Sequence, residues 1–470
     1  MEQSATNSLL DAYAPAQIAM RVREVGVTKA AMPVLTMFAL AVLAGAFIAL
    51  GALFFTITMT TGTTGQPPAF GLMRLAGGIT FSLGLVGGCD VMGIFDGFKW
   101  LMDGSRSHVK PLSSEEVSRI HFRGGSLLGT SRANPTKKAE LLEQVLSTLA
   151  RLGITRLITI GGDDTAYSAL KLEEKAAGRL YVVHVPKTID NDLDLPHGIP
   201  TFGFQTARHV GVEIVKNLMV DAHTTSHWYF VVTMGRKAGH LALGVGKAAG
   251  ATVTLIPEEF RQRPVKLATL VDTLAAAIIK RASEGRFDGV AVLAEGLVEV
   301  LAPQDLGGLD HVERDQHGHI RLSEIDLGDV LKREVSRVLG GFGLSTTIVP
   351  KNVGYELRCA DPIPFDMEYT RDLGYCAAQF LLEGDNATMV SIQEGRFTPI
   401  PFKQMLDPTT GRAKVRMVDI TAQSYQIAGQ YMTRLSDEDF KDPMVLGRYA
   451  TLAGMSPEAF LARFQPLARM

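Results

Sequence analysis

The sequence predicts an α/β protein with parallel sheets flanked by helices, preceded by an N-terminal transmembrane α segment. Three observations predict it. Residues 30–73 contain no charged side chain. From Asp90 onward, short β-rich runs alternate with helical stretches, the pattern of strands paired in parallel with helices on both faces. Four of those β-rich runs end in clusters of glycine and charged residues.

Within the uncharged run, residues 34–59 are long enough to cross a bilayer, which takes about 20 apolar residues. Soluble core helices rarely reach that length without a charge. A signal peptide would be shorter, nearer the N-terminus and followed by a cleavage site. Residues 75–89 form a second, shorter, glycine-rich apolar segment. It reads as a second span, a re-entrant half-helix, or a buried strand and turn, the last two requiring protein cover at membrane depth. Arg21, Arg23 and Lys29 precede the first span and the following loop is uncharged, so the positive-inside rule places the N-terminus in the cytoplasm. If the second segment also crosses, the rest of the chain is cytoplasmic too. The expected division is a membrane segment over 1–89 and a catalytic domain over 90–470.

The 47 basic and 49 acidic residues balance to a net charge of −2, which gives no basic field for nucleic acid and no acidic tail. Three cysteines are too few for a disulfide framework and fit a reducing compartment. Expected strands are 156–160, 181–185, 229–233 and 289–293, with a helix over 137–152. Residues 305–321, polar and glycine-containing, read as a surface excursion.

The strand RLITI runs into GGDDT, YVVHV into PKTIDND, YFVVT into MGRKAGH, and GVAVL into AEG. Open parallel sheets bind ligands beyond the carboxyl ends of their strands, so the four clusters predict one convergent site. In the first, Gly161 and Gly162 let backbone N–H groups approach a phosphate, and Asp163 and Asp164 suit Mg²⁺, a hard cation that seeks oxygen. A tight strand-to-helix turn with an Asp or Thr cap reads equally well there. In the second, Asp190 offers a carboxylate for a hydroxyl proton and Lys187 a cation for a moving phosphoryl group. Gly235 and Arg236 pair a flexible backbone with a guanidinium able to grip phosphate through two hydrogen bonds. Glu295 offers an acceptor for sugar hydroxyls, and Tyr355 and Arg358 add a phenol and a second guanidinium. Taken singly, each of these reads as well as a surface salt bridge.

The ordered set CDVMGIFDGFKWL, GGSLLGTSR, GGDDT, PKTIDND, MGRKAGH, AEG and GYELRCADPIPFD, from Asp90 to the C-terminus, resembles the phosphofructokinase family. The resemblance implies a two-lobed fold with the site between the lobes. It implies transfer from pyrophosphate to fructose 6-phosphate with Mg²⁺ as cofactor, yielding fructose 1,6-bisphosphate and phosphate, in a homo-oligomer. Carried over by position, Asp190 is the base for the sugar 1-hydroxyl, with Lys187 and Asp192 beside it, and Asp163 is the Mg²⁺-linked acid. Thr188, Met234, Gly235, Arg236, Glu295, Tyr355 and Arg358 match the sugar-phosphate site. Gly162, Asp164 and Arg132 match contacts to the donor phosphates. ATP-using relatives usually carry glycine where Asp164 stands; a carboxylate there fills space and repels a nucleotide's α-phosphate. Lys187 also resembles the pyrophosphate-using group. An ATP-dependent 6-phosphofructokinase is the alternative.

Family members open with a strand and a phosphate loop, GG-x-x-PG-x-N, which nothing before Asp90 supplies. Residues 14–88 instead resemble the start of the formate/nitrite transporter family, through AQIAMRVREVGVTKA, the first span, TTGTTG and FGLMRLAGGITFSLGL. Those transporters need more spans than this chain holds, which excludes a channel built from its own helices. A membrane-tethered sugar-phosphate-binding protein with impaired catalysis is the remaining alternative.

Overall fold

The computed structural model describes residues 89–307 and 325–468. The predicted first span, residues 34–59, and all but Cys89 of the second apolar segment lie outside the described residues. Among the described residues, no helix is long and apolar enough to cross a membrane.

Twelve strands are formed among these residues. β1 (Met92–Ile94) and β2 (Val109–Pro111) make a separate antiparallel pair. The first main sheet has the order β12-β9-β4-β3. In it β3 (Arg156–Gly161), β4 (Tyr181–Pro186) and β9 (Thr388–Met389) run parallel, and β12 (Ile400–Pro401) runs antiparallel to β9. The second, order β6-β7-β5-β8, is wholly parallel. It contains β5 (His227–Thr233), β6 (Val253–Leu255), β7 (Gly289–Ala294) and β8 (Thr347–Val353). β10 (Ile392–Gln393) and β11 (Arg396–Phe397) form a small antiparallel pair of their own. The four predicted strands are all present, three of them one residue longer at the carboxyl end.

Ten helices of eight residues or more are described. They are α1 (Ala139–Arg151), α2 (Asp163–Ala176), α3 (Phe204–Thr225), α4 (His240–Ala249), α5 (Leu267–Ser283), α6 (Leu327–Gly341), α7 (Pro364–Leu382), α8 (Gln423–Gln430), α9 (Pro443–Leu452) and α10 (Pro457–Phe464). The helix predicted over 137–152 is α1, which turns Val145, Leu146 and Leu149 inward.

Successive strand residues face opposite sides, and β4 shows both sides covered. Val182 joins the core beneath α1 and α2, whereas Val183 and Val185 join the core beneath α7. The second sheet is buried more deeply: every residue of β7 is buried, and its core draws on α3, α4, α5, α6 and the C-terminal helices. β3 is different. Among the described residues it pairs with β4 alone, and Ile160 stays 41% exposed, unusual for an apolar residue of a parallel strand.

The expected surface excursion over 305–321 begins within a short helix. That helix, Pro303–Gly307, holds Asp305, whose carboxylate accepts the Leu267 N–H at 2.7 Å and so satisfies an orphan donor at the start of α5. Residues 308–321 lie outside the described residues.

Candidate active site

Strand register sets the site. In the first sheet Gly161 is opposite Pro186, so the next residues, Gly162 and Lys187, leave the sheet side by side. The Lys187 N–H donates to Gly161 C=O at 2.8 Å. In the second sheet Thr233 is flanked by Ala294 and Val353, so Met234, Glu295 and Gly354 emerge together. Met234 N–H donates to Val353 C=O at 3.1 Å, and Glu295 N–H to Thr233 C=O at 3.0 Å. The loops after β5 and β7 then touch, with Gly296 N–H donating to Gly235 C=O at 3.1 Å. A Cβ on Gly296 would lie 2.6 Å from the Arg236 carbonyl oxygen, so this approach needs glycine. Gly235 has φ +141°, a backbone region that side chains avoid.

The clusters of the two sheets meet. Lys237, from the loop after β5, is ion-paired at 2.5 Å with Asp163 at the start of α2. Asp190 feels the charges of Asp192, Glu295 and Asp163, and Asp192 feels that of Asp163. Burial, with the carboxylates of Asp192, Glu295 and Asp163, pushes the Asp190 carboxyl up to about 7, opposed by the Arg358 guanidinium. Its Oδ1 is buried without a hydrogen-bond partner. Burial and Asp163 push buried Asp192 up to about 6, against Lys237 and Arg416. Burial, together with the charge of Arg358, lowers the Lys187 ammonium, which Asp190 and Cys359 hold up.

Thr188 braces this loop: its Oγ1 accepts the Asp190 N–H at 3.0 Å. Gly162 caps the start of α2, and Asp163 and Asp164 occupy that helix's first turn. The Asp164 N–H donates to Asp163 Oδ1 at 2.9 Å, and Asp164 itself is exposed. Glu295 Oε2 accepts the Gly235 N–H at 3.3 Å. Arg236 is exposed and, among the described residues, makes no salt bridge, so the surface ion-pair reading does not hold for it. Arg358 is exposed and, among the described residues, packs over the Tyr355 ring, 5.9 Å away, while Tyr355 is 68% exposed. Both guanidiniums are thus available for phosphate.

Arg132 stands apart. Its neighbour Ser131 donates to Asp96 C=O at 2.6 Å, which ties this stretch to the loop after β1. No hydrogen bond or ion pair among the described residues joins Arg132 to the other site residues.

Two supports escaped sequence reasoning. His184 on β4 is fully buried; it accepts from Thr159 Oγ1 at Nδ1 (2.9 Å) and donates from Nε2 to Gly161 C=O (3.1 Å). Burial pushes its imidazole down to about 3, so it stays neutral and holds the turn that presents Gly162. Lys237 was visible only as one basic residue of MGRKAGH. Despite burial, which pulls it down, its ammonium is held above the ordinary lysine value by the Asp163 hydrogen bond and charge.

Comparison with known proteins bears on the family. The family profile described as Phosphofructokinase matches residues 76–381, and that described as Formate/nitrite transporter matches residues 16–87. Residues 76–87 are matched by both. The pyrophosphate–fructose 6-phosphate 1-phosphotransferase of Thermotoga maritima is 52% identical over 406 residues, covering 85% of this chain and 96% of that protein. The protein of the same name from Naegleria fowleri is 44% identical over 414 residues, covering 86% and 94%. A crystal structure of a pyrophosphate-dependent phosphofructokinase from Nitrosospira multiformis superposes with a TM-score of 0.58 at 17% identity, covering 77% of this chain and 86% of that one, a likeness of fold.

Proposed function

The chain belongs to the phosphofructokinase family, and from that premise we infer that it moves a phosphoryl group from pyrophosphate to the 1-hydroxyl of fructose 6-phosphate. The O1–P bond forms as the bridging P–O bond of pyrophosphate breaks; the hydroxyl proton passes to Asp190, and phosphate leaves. One observation carries this reading: Asp190 has an unpartnered buried oxygen and a pKa raised to about 7, suited to accept a proton near neutrality, and lies within the fields of the Arg358 guanidinium and of the acids Asp163, Asp192 and Glu295. The relatives that cover 85% and 86% of this chain bear the name of that reaction.

Arg236 and Arg358 grip the sugar's 6-phosphate, Glu295 accepts from its hydroxyls, and Met234, Gly235, Thr188 and Tyr355 shape its seat. Lys187 supplies positive charge beside Asp190, and Gly162 and Arg132 serve the donor phosphates. Asp164 places a second carboxylate at the start of α2, where a helix's N–H groups would otherwise favour a nucleotide's phosphates. That favours the smaller donor.

The residues suit Mg²⁺. An orphan carboxylate oxygen on Asp190, and the neighbouring acids that raise the Asp190 and Asp192 carboxyls, are conditions a cation relieves. No three His, Cys, Asp or Glu side chains among the described residues come close enough to hold a metal alone, so Asp163, supported by Asp192, would share it with donor oxygens and water. When bound, the ion neutralises charge on the donor. Aldolase-coupled detection of fructose 1,6-bisphosphate tests the reading; no product from fructose 6-phosphate and pyrophosphate with Mg²⁺ would reject it.

We infer further that residues 34–59 tether the enzyme domain to a membrane. Among the described residues β1 pairs only with β2 and β3 only with β4, although Ile94 and Leu157 pack into one core. A strand lying between β1 and β3 would join the two sheets, and the loop sequence GG-x-x-PG-x-N does not occur before Asp90. In this reading residues 34–59 anchor a cytoplasmic enzyme domain that works as a homo-oligomer.

A further inference from the structure

Arg416 lies far along the chain from every motif of the site, in a short extended stretch whose neighbour Val415 bridges to Leu193. Its guanidinium donates to Asn191 C=O from Nε (3.1 Å) and Nη2 (3.0 Å), to Asn191 Oδ1 from Nη2 (2.5 Å), and to Ile199 C=O from Nη1 (2.7 Å). Longer bonds reach Leu195 C=O and Pro196 C=O. The Arg416 N–H donates to Asp192 C=O at 2.8 Å. These acceptors belong to the single loop that carries Asp190. Asn191 holds φ +57°, an unfavourable region for a residue with a side chain, and its Oδ1 also accepts the Thr201 N–H at 2.9 Å.

The main chain of Arg416 points the other way. Its carbonyl accepts from His240 Nε2 at 2.9 Å, and His240 opens α4, directly after the loop holding Met234, Gly235 and Arg236. Two residues on, the Val418 N–H shares the Glu258 carboxylate with the Gly239 N–H, at 3.0 and 2.9 Å. The same short stretch therefore fastens the base-bearing loop of the first sheet and the arginine-bearing loop of the second.

We propose that Arg416 is a positioning residue for phosphoryl transfer, its guanidinium fixing the loop of Asp190 and its carbonyl fixing the loop of Arg236, so that base and acceptor site stay in register. The physical reason is that Arg carries five N–H donors in a rigid plane, enough to serve several carbonyls of one loop at once; a lysine's three donors on a flexible stem cannot match that array. Misplacement by about 1 Å can cost about 10²-fold in rate.

The rate effect rests on the phosphotransfer reading, whereas the loop effect does not, and the test measures both on the full chain. Arg416→Met is expected to lower kcat with pyrophosphate about 10²-fold while the KM for fructose 6-phosphate changes little, with Arg416→Lys in between. Amide hydrogen exchange over residues 188–199 and 239–243 is expected to quicken at least about tenfold in Arg416→Met at a temperature where the protein remains folded. A folded Arg416→Met with kcat within about twofold of the parent, or a loss confined to KM, would overturn the proposal. Should Arg416→Met not fold, Asn191→Gly, which keeps the positive φ and removes one acceptor, decides: kcat is expected to fall by about tenfold, and an unchanged kcat overturns it. If the parent itself shows no turnover, the functional reading fails and hydrogen exchange alone decides, with unchanged exchange rejecting the role of Arg416.

Discussion

Replacing Asp190 by Asn separates chemistry from stability, because the two should move in opposite directions. Removing the base is expected to slow turnover by about 10²–10⁴-fold, the usual worth of general-base catalysis, or about 3–5 kcal/mol of transition-state stabilisation. The KM for the sugar should change less, since Arg236 and Arg358 are untouched. For stability the sign runs the other way. The Asp190 carboxyl titrates near 7 in the fold, against 3.8 as its ordinary value, so the folded state holds its proton more tightly than the unfolded chain. The ionised form therefore weakens the fold: the penalty is absent below about pH 4, grows as pH rises toward 7, and is complete above. Three pKa units correspond to at most about 4 kcal/mol, reduced by the water that reaches this half-buried group. In Mg²⁺-free buffer without substrate, Asp190→Asn should thus melt higher than the parent, with a gap that widens from pH 5 to pH 8. Coupled assays and melting curves on both proteins measure the pair of effects. A parental rate in the variant, or a melting difference that ignores pH, would refute the reasoning.

Asp163→Asn should raise the Mg²⁺ concentration giving half-maximal rate by about 10–100-fold, the scale seen when groups around a metal are altered; an unchanged Mg²⁺ titration would remove Asp163 from that role. Replacing residues 1–88 by a family-type strand and glycine loop should raise turnover about 10²–10³-fold, because backbone N–H groups would then hold the donor phosphates, and should raise the melting temperature by pairing the edge of β3 that has no partner among the described residues. Equal activity and equal melting temperature in the grafted protein would show that this edge needs no partner. The uncharged run over 30–73 should keep the chain with membranes through a carbonate wash, and release into the soluble fraction would contradict a spanning segment.

Much of the site was legible because each motif follows directly on a β-rich run, and parallel register alone brings the ends of β5, β7 and β8 together. What joins the motifs was not legible. Lys237 and Asp163 lie 74 residues apart, and Arg416 lies 225 residues beyond Asn191. A run such as Val415-Arg416-Met417-Val418 shows a charge on one face of an extended segment, but not whether that face meets solvent or five carbonyls. His184 reads as part of an apolar strand, and only the fold places Thr159 and Gly161 at its two nitrogens. The short strands β9 to β12, two residues each, lie below the length at which alternation can be seen.

The donor comparison bears most directly on the central claim. The quantity is kcat/KM for pyrophosphate against that for ATP, measured on the full chain with saturating fructose 6-phosphate and Mg²⁺, in the parent and in Asp164→Gly. With the Asp164 carboxylate exposed in the first turn of α2, pyrophosphate should be used far better than ATP, and Asp164→Gly should narrow the ratio without reversing it. Faster turnover of the parent with ATP would contradict a pyrophosphate-using enzyme.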